Sequence, residues 1–172
     1  MLQKVNKISF LLIFFLTFSL NISLAEDQIY KFKSKNTNFI GSVAKEKDGS
    51  KTISFVGIPF AKPPVDDLRW KAPRELDLMP DTFEAKTLPN RCMQVSNFYD
   101  SMDGIEGGSI IGSEDCLYLN IYLSEKAYNS KKKLPVMFWI HGGGNTWGYS
   151  ASNLYTSGAV SYTHLRAHET HS

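Results

Sequence analysis

The sequence predicts an α/β fold, and three observations carry that expectation. Two seven-residue runs, LYLNIYL at 117–123 and LPVMFWI at 134–140, are apolar on both faces. Such runs belong to strands inside a sheet that is covered by helices on each side. The second run leads directly into His141-Gly142-Gly143-Gly144, and consecutive glycines let a backbone approach a ligand closely. Upstream, residues 28–60 read as short strands broken by turns, a small antiparallel β region at the edge of something larger.

The elements follow in order. Lys4 and Lys7 precede an uncharged run over residues 8–25, rich in Phe, Leu and Ile, which closes on Ser23-Leu24-Ala25 before Glu26 and Asp27. A positive start, a short apolar stretch and a small-x-small exit describe a secretory signal peptide over residues 1–25, cleaved after Ala25. An uncleaved anchor is the alternative, since the run approaches the lower limit of a spanning helix. No second run of that length follows, so no stable membrane span is expected after cleavage, and the product is expected to be secreted or periplasmic.

Ile29-Tyr30-Lys31-Phe32 and residues 39–43 read as strands, and Asp48-Gly49 before residues 52–56 is a hairpin signal. Residues 57–73, GIPFAKPPVDDLRWKAP, hold four prolines, which argues against a regular element. Phe60, Leu68 and Trp70 suggest that this segment lies flat against a core. Residues 77–112 are polar and aperiodic, and so long an irregular stretch is expected to be stapled or functional. No helix of any length is evident before Ala159. The apolar strands therefore lack their covers, and part of the domain is expected outside this sequence.

Composition narrows the function. The 172 residues carry 19 basic and 17 acidic side chains, a net charge of +2, which offers no electrostatic case for nucleic acid. Lys131-Lys132-Lys133 reads as a solvated loop. Cys92 and Cys116 are the two cysteines, and an exported chain meets an oxidising compartment. A disulfide between them would close a loop of about 25 residues and contribute roughly 3–4 kcal/mol in the loop-entropy model. Free thiols and a metal pair are the rival readings, neither with supporting ligands nearby; the disulfide is favoured.

His164, His168 and His171 form an H-x3-H-x2-H array that invites a zinc reading. Residues 160–170, however, match one translated frame of a transposase-type sequencing-library adapter. Residues 160–172 are therefore expected to be adapter read-through and are set aside. The natural segment is residues 26–159, and no metal or organic cofactor is called for.

The chemistry lies at the glycine loop. Ester hydrolysis places negative charge on the former carbonyl oxygen, and a fixed N–H donor aimed there is worth about 3–4 kcal/mol. A strand followed by H-G-G-G is the oxyanion-hole motif of lipases and esterases on the α/β-hydrolase fold. A plain flexible turn is the bland alternative. A phosphate loop is excluded, because no Gly-Lys-Ser/Thr follows and G-x-G-x-x-G is not met. His141 is read as a support of the loop rather than as a catalytic base.

Three blocks give a specific resemblance: Gly57-Ile58-Pro59-Phe60-Ala61 with Pro63-Pro64 and Leu68-Arg69-Trp70; Ser113-Glu114-Asp115-Cys116-Leu117-Tyr118-Leu119-Asn120; and Pro135 through Gly144. In these the chain resembles the type-B carboxylesterase family, which includes the cholinesterases. The resemblance implies the N-terminal fragment of an α/β-hydrolase fold: a small antiparallel β region and the first strands of the central sheet. It implies that Gly143 and Gly144 are oxyanion-hole donors, with Gly142 shaping the turn. Cys92 and Cys116 match the family's first disulfide loop, and Arg69 and Glu114 a structural ion pair.

Departures accompany the match. Ser124 stands where the family usually has proline. The Cys92–Cys116 loop holds Phe98 and Tyr99 but no tryptophan, which counts against a choline ester. No G-x-S-x-G occurs in the sequence, so nucleophile, acid and base are expected downstream, and these residues alone are expected to be inactive. The reading is a secreted serine esterase acting on a small-molecule ester. The alternative is a non-catalytic, cholinesterase-like adhesion protein, and the residue at the missing elbow separates the two.

Overall fold

The computed structural model describes residues 28–101, 104–130 and 132–152. The expected signal peptide and the tail from residue 160 lie outside them. Among the described residues eight strands form three small sheets. In the first, β1 (Lys31–Ser34) runs antiparallel to β2 (Thr37–Ile40), and β5 (Thr82–Glu84) adds parallel to β2. In the second, β4 (Lys51–Pro59) lies between β3 (Ser42–Lys45) and β8 (Tyr118–Ser124), antiparallel to both. The third is the pair β6 (Gln94–Val95) and β7 (Ile110–Ile111). Two short helices, α1 (Phe98–Ser101) and α2 (Glu125–Ser130), and a 3-10 turn at Asp66–Leu68 complete the described elements.

Local chemistry decides these divisions. The single strand expected over residues 39–43 is two strands, one in each larger sheet, divided at Gly41. A Cβ at Gly41 would lie 2.6 Å from the Ser54 carbonyl oxygen and 2.7 Å from the Phe55 ring, so only glycine crosses β4 this closely. The Asp48-Gly49 turn closes the β3–β4 hairpin: Asp48 Oδ1 accepts from the Ser50 N–H at 2.9 Å, and Gly49 takes φ +85°.

Tyr30, Phe39, Ile53, Phe55, Ile58 and Ala85 form the buried core. Phe32 stacks on Phe39 and meets the Phe55 ring edge-on, with centroids 4.8 Å apart in each case. Full burial of a side chain such as Ile53 or Phe55 contributes about 1.5–3 kcal/mol. Between Phe55 and Ile58 the β4–β8 register shifts. Gly57, at φ +67°, turns its N–H away from the ladder to Asn120 Oδ1 at 2.9 Å, as a bulge requires.

Two expectations are corrected. Residues 134–140 form no strand ladder among the described residues, and Val136, Phe138 and Ile140 are 89%, 81% and 75% exposed. A strand apolar on both faces needs an edge partner and two covers, and β8 is partnered only by β4 among the described residues. Trp70 does not lie on the core but is 97% exposed at φ +61°. Its segment is held by the Lys62 N–H on the Arg74 carbonyl and by the Arg69 side chain.

A helix also forms where none was expected. Ser124 Oγ accepts the Ala127 N–H at 3.0 Å and starts α2. This helix docks on the N-terminal hairpin. The Tyr128 hydroxyl accepts from the Lys31 N–H and donates to its carbonyl, and its ring meets Tyr30 edge-on at 5.3 Å.

Candidate functional site

The glycine loop follows residues 134–140 and closes as a tight turn. The Gly143 carbonyl accepts from the Thr146 N–H at 3.0 Å, the Trp147 N–H at 3.3 Å and the Thr146 hydroxyl at 3.0 Å. Gly143, Gly144 and Asn145 take φ values of +132°, +59° and +60°. At Gly143 a Cβ would collide with the Trp147 carbonyl oxygen, so this residue must be glycine on two counts. The N–H groups of Gly142, Gly143 and Gly144 donate to no acceptor among the described residues. His141 is half-buried, with Nδ1 2.9 Å from the Gly142 carbonyl oxygen.

The segment between the cysteines packs against the end of this loop. Cys92 and Cys116 are joined in a disulfide. Two residues beyond Cys92, the buried Gln94 side chain meets Gly148: Oε1 accepts the Gly148 N–H at 2.7 Å, and Nε2 donates to the Gly148 carbonyl at 3.1 Å. The same Nε2 donates to the Cys92 carbonyl at 2.9 Å.

Around this clamp Tyr99 stacks on Trp147 at 5.5 Å. The Arg91 guanidinium lies 3.9 Å over the Tyr149 ring while pairing with the buried Asp100. Asn120 reaches both sides of the site: its Oδ1 holds the β4 bulge at Gly57, and its Nδ2 donates to Ser150 Oγ at 3.3 Å.

Arg69 and Glu114 meet in a two-pronged ion pair, at 2.5 Å from Nε and 2.7 Å from Nη2. The Arg69 guanidinium holds the Glu114 carboxyl below the usual carboxylate range. The pair ties the proline-rich segment to the residue before Asp115-Cys116. Close by, burial, aided by a 2.7 Å hydrogen bond to Asp115, pushes the Tyr118 phenol up to about 12.

The structure thus brings Cys92 to Cys116 and Arg69 to Glu114, and sets Gly142, Gly143 and Gly144 in one turn beside His141. Gln94 escaped the sequence reading, because a glutamine two residues after a cysteine has no periodicity or motif of its own. Asn120 ends the run Ser113-Glu114-Asp115-Cys116-Leu117-Tyr118-Leu119-Asn120, but nothing local signals that its amide bridges a bulge and a loop. Among the described residues no group of three or more His, Cys, Asp or Glu side chains could hold a metal ion, and no helix is long and apolar enough to cross a membrane.

A family model described as the carboxylesterase family matches residues 31–163. An acetylcholinesterase from Leptinotarsa decemlineata is 35% identical over 129 residues, covering 67% of this chain and 20% of its own length. An acetylcholinesterase from Electrophorus electricus is 34% identical over 147 residues, covering 83% of this chain and 23% of its own length. A juvenile hormone esterase from Tribolium castaneum is 39% identical over 120 residues, covering 70% and 19%. The chain spans about a fifth of the length of these relatives.

Proposed function

Because the chain belongs to the carboxylesterase family, we propose that it supplies the oxyanion-stabilising part of a secreted, serine-dependent carboxylic ester hydrolase. The observation that carries this reading is the glycine turn, whose Gly143 and Gly144 N–H groups have no acceptor among the described residues. A serine hydroxyl from a G-x-S-x-G segment beyond these residues attacks the ester carbonyl as a base takes its proton. The carbonyl oxygen becomes an oxyanion, and the two amides stabilise it. Collapse expels the alcohol and leaves an acyl-enzyme, and water repeats the sequence to release the acid. The substrate is a small carboxylic ester other than a choline ester, since no tryptophan lies between Cys92 and Cys116.

The test uses the product of the complete reading frame. It is expected to hydrolyse a nitrophenyl ester, and a serine-directed organophosphate is expected to abolish this with one serine labelled outside residues 1–172. Gly144→Ala has room for its methyl group but carries about 1–2 kcal/mol of backbone strain at φ +59°, which favours displacement of the turn. It is expected to lower kcat by about a hundredfold, as displaced oxyanion donors do. Absence of hydrolysis, or another residue in place of the elbow serine, sinks the enzyme reading and leaves the binding protein.

A further inference from the structure

Gly148 closes the glycine turn. A Cβ there would lie 2.5 Å from the Gly142 carbonyl oxygen and 2.8 Å from His141 Nδ1, so its backbone packs directly on the peptide preceding Gly143. Gly148 also lies next to Trp147, whose carbonyl oxygen occupies the space of a Gly143 side chain. The Trp147–Gly148 backbone therefore abuts both the Gly142 carbonyl and Gly143.

That peptide is gripped by one side chain. Gln94 uses both its donor protons and its acceptor: the N–H and the carbonyl of Gly148 are each satisfied, and the remaining proton goes to the Cys92 carbonyl. Few other side chains offer a donor and an acceptor at this reach in one plane. Glutamate has the same shape but, when ionised, only acceptors, and would set a negative oxygen against two carbonyls.

We infer that Gln94 is the positioning residue of the glycine turn, holding its amides in the oxyanion geometry from inside the disulfide loop. This rests on the ester-hydrolase reading. Gln94 touches no reacting atom; it acts through Gly148. A 1 Å displacement of positioned groups costs about a hundredfold in rate, and the interaction lost is one made with the transition state. The effect is therefore expected on kcat, with KM unchanged.

The experiment is done on the product of the complete reading frame, with Gln94→Ala, Gln94→Met and Gln94→Glu compared with the unsubstituted protein. Thiol titration and thermal unfolding report the disulfide and the fold. Gln94→Ala and Gln94→Met are expected to lose kcat by roughly ten- to a hundredfold at constant KM. Gln94→Glu is expected to be as poor near pH 8 and to regain activity, relative to the unsubstituted enzyme, as the pH falls to about 5. There a protonated carboxyl can again donate while accepting. Amide exchange at Gly148 separates this from the cost of merely burying a charge.

In parallel, amide exchange of the peptide containing Gly148, followed by mass spectrometry, is expected to accelerate at least about tenfold in Gln94→Ala and Gln94→Met, since a hydrogen-bonded amide is protected. Unchanged kcat in a folded Gln94→Ala or Gln94→Met variant, or a Gln94→Glu ratio that is flat with pH, overturns the inference. If the unsubstituted protein hydrolyses no ester, the ester-hydrolase reading fails instead. Gly148 exchange then decides the clamp by itself, and unchanged exchange would remove it.

Discussion

Glu125 shows how one carboxylate ties distant parts of the chain. It accepts from the Tyr30 hydroxyl and pairs with Lys51 at 2.9 Å, so the first residue of α2 is joined to the N-terminal segment and to β4. The Tyr30 hydrogen bond, and then Lys51, hold its carboxyl below the ordinary glutamate value. A depressed folded-state value means stability that is present above the ordinary value and lost as pH falls through the depressed one. Glu125→Gln is therefore expected to lower Tm at neutral pH, with the difference from the unsubstituted protein vanishing as pH falls below the ordinary glutamate value and through the depressed one. Thermal unfolding of the complete product across pH checks this, and a difference that persists at acid pH would contradict it.

At the scale of elements, the sequence reading succeeded where a local rule governs and failed where the outcome depends on a neighbour. Asp48-Gly49 is a self-contained turn signal, and β3 and β4 pair across it. The run at 117–123 became β8, half-buried on both faces except at Ile121, because β4 lies beside it. The equally apolar run at 134–140 forms no strand ladder among the described residues. Trp70 was expected inward because it is large and apolar, but the grip on its segment belongs to Arg69. The glycine turn could be read because three glycines announce it. Gln94 could not, because its importance arises from a residue 54 positions away.

Gly57 offers an element-scale test. Its φ of +67° and the contact with the Thr87 carbonyl create the bulge in β4. Gly57→Ala is expected to cost at least about 1–2 kcal/mol from backbone conformation alone, read by denaturant unfolding of the complete product. An unchanged midpoint would show that the bulge relaxes freely.

For the whole molecule, the side chains of Val136, Phe138 and Ile140 set composition against environment, being apolar and exposed along one short run. Contiguous apolar exposure of this kind marks a surface made to be covered. The 172-residue chain alone is expected to bind a hydrophobic dye and to associate, and Val136→Lys with Phe138→Lys to reduce both. Light scattering and dye fluorescence test this; weak dye binding by the unsubstituted chain would mean that the run is already covered.

The contacts that frame the glycine turn have a further consequence for biosynthesis. Cys92 bonds Cys116, Gln94 grips Gly148, and Asn120 reaches Ser150, with separations of 24, 54 and 30 residues. All of these partners lie in one uninterrupted stretch of chain. At a ribosomal rate of about 5–20 residues per second, that stretch is made in roughly 3–12 seconds. The frame of the turn can therefore assemble vectorially, so that a later segment docks onto a geometry already in place.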